Sequence, residues 1–405
     1  MRWLKTITRE QWKVLAAAQL GWMLDAMDVM LYAFALTAIR EEFALSSAQS
    51  GAVQSITLLA SAFGGVLFGI LADRIGRARA LIYSILTYSI FTGMTATAGS
   101  VAALLFWRAL VGIGLGGEWS AGSVLVAESW PAEHRGKAIG FMQSGWAIGY
   151  MIAALISAPV LTHFGWRWLF AAGVLPALLT LWIRRNVPEP EIWRRTRREA
   201  RTESLGVIFR PPLLRNTVVA TLLATSLLIA YWGLFTWVPT YLSSPIERGG
   251  AGLTLFQSAA WILPMQTGAF LGYILFGILA DRFGRRPVFL VFVLGAALLV
   301  PLYGTMGENE SLLLALGPFL GFFGHGYFSV FGAMLAELFP SGVRGAAQGL
   351  CYNCGRAVSA FAPMGVGALA DRSGIGTALA AVSVFYVVGA GLILLLPETR
   401  GGKLQ

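Results

Sequence analysis

Charge is scarce in this chain. Of 405 residues, only 12% are Asp, Glu, Lys or Arg, where soluble domains carry roughly 25%. A water-soluble enzyme of this length needs more polar surface, so that class is excluded. Histidine occurs three times and cysteine twice, as Cys351 and Cys354 in one apolar segment. No second Cys or His pair at ligand spacing accompanies them, so they read as small apolar filling, and neither a metal nor a cofactor is expected. A Gly-x-x-x-x-Gly-Lys-Ser/Thr loop is missing, which argues against an ATP-driven pump. Between the apolar runs no segment is long enough for a soluble signalling domain, which argues against a receptor. The first thirteen residues lack a cleavable-signal pattern, since Arg2, Lys5, Arg9 and Lys13 lead into a long span without an obvious cleavage site.

What the chain has in quantity is apolar surface. Apolar residues make up 57%, with 48 glycines and 14 tryptophans, and the mean hydropathy is +0.69. Gly and interfacial Trp are enriched in membrane helices. A span needs about 20 mostly apolar residues. Twelve stretches qualify, near 14–39, 51–72, 80–98, 101–126, 137–162, 165–184, 216–242, 256–280, 287–306, 311–336, 345–370 and 374–396. The net charge of +10 first suggests nucleic acid, but the 30 basic residues sort by side. With the N-terminus in the cytoplasm, 24 fall on inner segments, four (Arg40, Arg167, Arg248, Arg372) on outer ones, and two (Arg108, Arg356) inside spans. That split satisfies the positive-inside rule. No nucleic-acid partner is expected; the partner is the bilayer, and both termini are expected in the cytoplasm.

The sequence also repeats itself. Gly69-Ile-Leu-Ala-Asp73-Arg74-Ile-Gly76-Arg77 recurs as Gly277-Ile-Leu-Ala-Asp281-Arg282-Phe-Gly284-Arg285, 208 residues on. Ala127-Glu128-Ser-Trp-Pro131 with Arg135-Gly136 recurs as Ala336-Glu337-Leu-Phe-Pro340 with Arg344-Gly345, and Pro188-Glu189 as Pro397-Glu398, both 209 on. The expected fold is therefore an all-α membrane protein of twelve transmembrane helices in two six-helix pseudo-symmetric halves. These are an N-terminal half at 1–184, a basic cytoplasmic linker at 185–215 and a C-terminal half at 216–405, with a substrate site near the midplane between halves.

These doubled loops and twelve spans resemble the major facilitator superfamily over essentially the whole chain. Leu24-Asp25-Ala26-Met27-Asp28, Gly114-Leu-Gly-Gly117-Glu118, Glu128-Ser-Trp-Pro131 and Gly165-Trp-Arg167 are similar to the sialate:proton symporter family, which carries sialic acid, monocarboxylates or muconate. Two features depart from branches of that family. The bacterial sialic acid carriers matching these motifs have two extra central spans, and the fungal lactate branch has an Asn/His/Gln/Asp-rich span seven; this chain has neither.

Ionisable groups inside spans mark a pathway. At about 1.5 Å per residue, Asp28 and Arg108 reach the same level from opposite sides and meet if spans one and four pack together. The resemblance implies that pairing: proton-coupled sugar porters place an Asp in span one and an Arg in span four for proton coupling. A carboxylate whose Arg contact forms and breaks can take up and release a proton. Asp25 and Glu118 are further candidates for that proton, and a fixed ion pair is the alternative. Arg356 lies near the midplane with Asn353 one turn earlier, so it is expected to bind a substrate carboxylate bidentately, unless Asp25 or Glu118 pairs with it. His325 is read as a packing histidine or a proton relay. Gln143, Trp146, Tyr150, Tyr231, Trp232 and Gln266 are candidates to complete the site. Asp73, Arg74, Arg77, Glu128, Arg135, Asp281, Arg282, Arg285, Glu337 and Arg344 are expected to form a cytoplasmic gate that latches the halves. The function these features imply is a monomeric, proton-coupled symporter for an organic acid in the inner membrane, its only energy source the proton gradient. A sugar or polyol symporter is the first alternative, a drug efflux carrier the second.

Overall fold

The computed structural model describes residues 7–190, 205–339 and 344–399. Helix is the only regular structure among them. The chain traces α1 (Arg9–Phe43), α2 (Ser47–Ile75), α3 (Arg77–Thr95), α4 (Val101–Ser129), α5 (Ala132–His163) and α6 (Trp166–Ala172, then Ala177–Asn186). The second six are α7 (Leu213–Phe235, then Val238–Ser243), α8 (Leu255–Phe283), α9 (Arg285–Thr305), α10 (Glu310–Gly326, then Phe328–Glu337), α11 (Arg344–Ser359, then Ala362–Ser373) and α12 (Ile375–Ala381, then Ser383–Leu394). Twelve helical segments thus stand where twelve spans are expected. Among the described residues, nine are long and apolar enough to cross a membrane. Of the remaining three, α3 opens on Arg77 and Arg79, which lower its hydropathy. Large apolar side chains such as Phe63, Leu175 and Leu298 face outward, as helices solvated by lipid require.

The repeat in sequence is a repeat in geometry. Capping boxes open both α2 (Ser46 with Gln49) and α8 (Thr254 with Gln257). The α2–α3 and α8–α9 turns pivot on Gly76 (φ 116°) and Gly284 (φ 102°), and α5–α6 and α11–α12 on Gly165 (φ 80°) and Gly374 (φ 83°). A side chain is strained at such φ values. Because α3 and α9 begin directly after their glycines, no side chain of their own caps them. The repeated Pro-Glu supplies the cap from a distance. Glu189 accepts from the N–H groups of Ala78 and Arg79 (both 3.1 Å), and Glu398 from those of Arg285 (2.9 Å) and Arg286 (3.0 Å). Each carboxylate satisfies orphan donors at the positive end of a helix.

Within the halves, α1 packs on α5, α2 on α4, α8 on α10 and α7 on α11. Lipid offers no hydrophobic drive between helices, so close backbone approach holds them. A Cβ at Gly149 would overlap the Met23 carbonyl between α5 and α1, and one at Gly321 would overlap that of Met265 between α10 and α8. The halves meet along α5–α8 and α2–α11. At the end carrying the α1–α2 turn, Asp371 of α11 accepts from the N–H groups of Ser47 and Ala48 (both 3.0 Å), capping α2 of the other half. Burial works against the Asp371 charge. The hydrogen bonds from Ser47 and Ala48 and the nearby Arg40 outweigh it and hold the carboxyl below the usual aspartate range. This latch therefore holds at neutral pH and is lost only as pH falls through that depressed value. Asp371→Ala is expected to cost the closed end about 1 kcal/mol, several-fold in population. The check is faster labelling of a cysteine introduced at Ser47 by a membrane-impermeant thiol reagent.

Candidate functional site

Midway along the bundle, between the halves, a cavity of about 30 Å³ is lined by Trp22, Gln143, Trp146, Leu228, Tyr231, Trp232, Tyr273, Phe328, Tyr352 and Arg356. The aromatic rings interlock around it. Trp22 lies 4.7 Å from Trp146 between centroids, and Trp146 meets Trp232 edge-on at 5.9 Å. Two hydrogen bonds cross between the halves here: Trp146 Nε1 donates to the Tyr231 hydroxyl, and the Tyr150 hydroxyl donates to the Phe235 carbonyl at 3.2 Å. Tyr352 of α11 stacks on Trp119 of α4 at 4.4 Å, a third crossing. Several polar groups of this lining are buried without a hydrogen-bond partner: Trp22 Nε1, Trp232 Nε1, Gln143 Oε1 and Arg356 Nε. In a native interior such groups call for an explanation, and a polar ligand supplies one. Among the described residues, no carboxylate lies within the 4.0 Å ion-pair distance of Arg356.

Asp28 and Arg108 do meet, as their depths along α1 and α4 predict. Arg108 Nη1 stands 3.7 Å from Asp28 Oδ2, both side chains wholly enclosed. The guanidinium also lies 5.2 Å from the Tyr32 ring and 5.8 Å from Phe170, so aromatic faces supplement the ion pair. The separation is an ion-pair distance, too long for a good charge-assisted hydrogen bond. Asp25 lies within electrostatic reach of both Asp28 and Arg356. Glu118 is buried, neither oxygen has a hydrogen-bond partner, and its carboxyl presses on Gly21, where a Cβ would collide with it. Three acids on two helices thus share the middle of the protein with two arginines.

Other expectations fare differently. Gln143, Trp146, Tyr231, Trp232 and Arg356 converge on the cavity, but Asn353 and Gln266 do not line it. Asn353 points its Oδ1 toward Gly65 of α2, and Gln266 is buried with both amide atoms unpartnered. His325 is enclosed by Tyr231, Phe235 and Tyr273 at 5.1, 4.0 and 6.2 Å, behind the cavity wall. Trp22, Leu228, Tyr273, Phe328 and Tyr352 line the cavity without having been picked out in the sequence. The available signal is helical phase: Trp22 sits one turn before Asp25, and Tyr352 one turn before Arg356.

At the basic end, Arg77 binds Glu128 bidentately (3.2 and 3.0 Å) and Arg285 binds Glu337 at 2.6 Å, with Thr399 donating to the other Glu337 oxygen at 2.6 Å. These pairs tie α3 to α4 and α9 to α10 inside a half, rather than latching one half to the other. Adjacency explains it, because each pair joins helices packed side by side. Arg282 lies over the Phe283 ring at 5.3 Å, and Arg74 is exposed. The side chains of Asp73, Arg135, Asp281 and Arg344 lie outside the described residues.

A family model described as Major Facilitator Superfamily matches residues 20–267 and again 250–405. The chain belongs to the Major Facilitator Superfamily. It is a multi-pass integral membrane transporter, and its curated superfamily relatives are transporters, not enzymes. One is the "Probable 4-methylmuconolactone transporter" of Cupriavidus pinatubonensis, 34% identical over 100% of this chain and 94% of its own. Another is the cis,cis-muconate transport protein of Acinetobacter baylyi, 32% identical over 93% of this chain and 92% of its own. The sialic acid transporter of Escherichia coli is 30% identical over 99% of this chain and 97% of its own, which leaves no room in that relative for two extra spans. Among superfamily structures, the crystal structure of a D-xylose-proton symporter superposes with a TM-score of 0.81, covering 98% of this chain and all of that one, at 20% identity. That likeness establishes the fold.

Proposed function

We propose that this transporter is a proton-coupled symporter for an organic carboxylate, working by alternating access. Arg356 carries the reading. It is an arginine at the midplane, 5% exposed, on an aromatic cavity shared by both halves, with no acid in ion-pair contact among the described residues. A substrate carboxylate supplies the missing anion, with Trp22, Trp232 and Gln143 offering further polar contacts and the rings packing on the substrate's carbon frame. The relatives named for muconate and sialic acid support a carboxylate as the class. Asp25, Asp28 and Glu118, buried beside Arg108 and Arg356, are the groups available to carry a proton. The orientation that goes with this function places the basic end, both termini included, in the cytoplasm of an inner-membrane protein acting as a monomer, with the proton gradient as its energy source.

The test is uptake of labelled muconate, sialic acid, lactate and pyruvate into proteoliposomes with and without an inward proton gradient. At least one acid is expected to accumulate only with the gradient, and a protonophore should abolish the accumulation. Uptake of xylose but of no carboxylate, under any gradient, would replace this reading with a sugar symporter.

A further inference from the structure

A second recess lies on the lipid-facing side of the C-terminal half. It is a groove of about 340 Å³ between α7, α11 and α12, within the roughly 300–1,000 Å³ typical of ligand pockets. All of its lining residues are Gly, Ala, Val, Leu, Ile or Phe, so no side chain there offers a hydrogen bond. The floor is sunk below the surface: Val366, Ala378 and Val382 are buried, while Val358 and Phe361 on the rim are more than half exposed. Two interrupted helices open it, α11 between Ser359 and Ala362 and α12 between Ala381 and Ser383. Gly365 faces the space, and a Cβ there would meet nothing within 4 Å. On α7 the neighbours Leu228 and Ile229 line the midplane cavity and the groove respectively, so one helix wall separates the two.

We propose that the groove holds one acyl chain of a membrane phospholipid whose phosphate is bound by Arg372. The lining selects hydrocarbon, because a polar occupant would give up its hydrogen bonds to water without replacement. The length selects an acyl chain. From Val358, just past Arg356 at the midplane, to Leu369 is about 16 Å at about 1.5 Å per residue, half of a hydrocarbon core of about 30 Å. The groove therefore runs the depth of one leaflet, the one at the end carrying the α1–α2 turn. At its mouth stands Arg372, in the last turn of the second piece of α11. It follows Gly365 by seven residues, which returns it to the same helical face, and it is exposed. Of the other basic residues at that end, Arg167 is bound by Glu42 and Arg40 lies near Asp371. A phosphate suits the guanidinium fork of Arg372. The seated chain packs against the break in α11 that follows Arg356, and it supplies the contacts that the sunken floor lacks from its own protein.

Photolabelling tests the assignment. The full-length protein is reconstituted into vesicles of phosphatidylethanolamine and phosphatidylglycerol, the latter carrying a diazirine midway along one acyl chain. After irradiation, labelled peptides are mapped by mass spectrometry. Adducts within 358–369 and 378–385 are expected to exceed several-fold those at Leu294 and Leu298 of α9, which are ordinary exposed positions. Gly365→Phe fills the groove and should remove the excess, whereas Gly391→Phe, at another open position on α12, should keep it. Arg372→Gln should lower it several-fold. Wild-type labelling of the groove no stronger than that of α9 overturns the proposal whether or not any variant folds, and so does an excess undiminished in Gly365→Phe. An excess unchanged in Arg372→Gln overturns the phosphate contact. If a second copy of the chain covers this face instead, the groove stays unlabelled and Phe361→Cys crosslinks between copies, which overturns the lipid as occupant.

Discussion

Replacing Arg356 with alanine is expected to weaken carboxylate binding by a factor of 100 or more while leaving the protein folded. A bidentate charge-assisted contact in a dry site contributes about 3 kcal/mol, and every 1.4 kcal/mol is about tenfold in affinity. The side chain is nearly buried but has no ion pair among the described residues, so removing it strands no formal partner there. Arg356→Lys should recover only part of the loss, since a lysine offers a point charge where the guanidinium offers a planar fork. Three tryptophans line the cavity, Trp22, Trp146 and Trp232, so quenching of their fluorescence on titration reads the dissociation constant directly. Unchanged affinity in Arg356→Ala would remove the residue from the site.

Arg108→Ala should do the opposite and fail at the level of the fold. Both members of the Asp28–Arg108 pair are fully enclosed, and deleting one leaves an uncompensated charge, which costs about 3–5 kcal/mol. Low yield and early thermal unfolding in detergent are the expected signs. Asp28→Asn combined with Arg108→Gln removes both charges at similar volume and should recover much of the stability. A double variant as unstable as Arg108→Ala alone would mean that the arginine acts through Tyr32 and Phe170 rather than through its acid.

Most of the architecture could be read from the residues because a membrane imposes strong rules. Span length, basic-residue sidedness and a repeat offset are one-dimensional quantities. The depth of Asp28 against Arg108 is another, and it placed the pair correctly. Rotation about the helix axis is not one-dimensional. A helix apolar on every side gives no moment from which to tell lipid from cavity, so the sequence does not show that Asn353 turns toward α2 while Tyr352, one residue earlier, lines the cavity. The gate shows a different limit. Opposite charges at one end of the bundle can be counted from the sequence, but whether Arg77 finds Glu128 in its own half depends on which helices are neighbours, and only the packing of α3 on α4 supplies that.

The contracted cavity has a consequence beyond recognition. About 30 Å³ is room for one or two water molecules at most, and the Trp146–Tyr231 and Tyr150–Phe235 hydrogen bonds seam the halves beside it. Among the described residues, these contacts leave little room at this level for a column of water along which protons could hop from one face of the membrane to the other. A cell spends continuously to keep those faces at different potentials, and each carrier molecule is a place where that difference can drain. In this state the closed aromatic wall makes the transporter part of the membrane's electrical insulation.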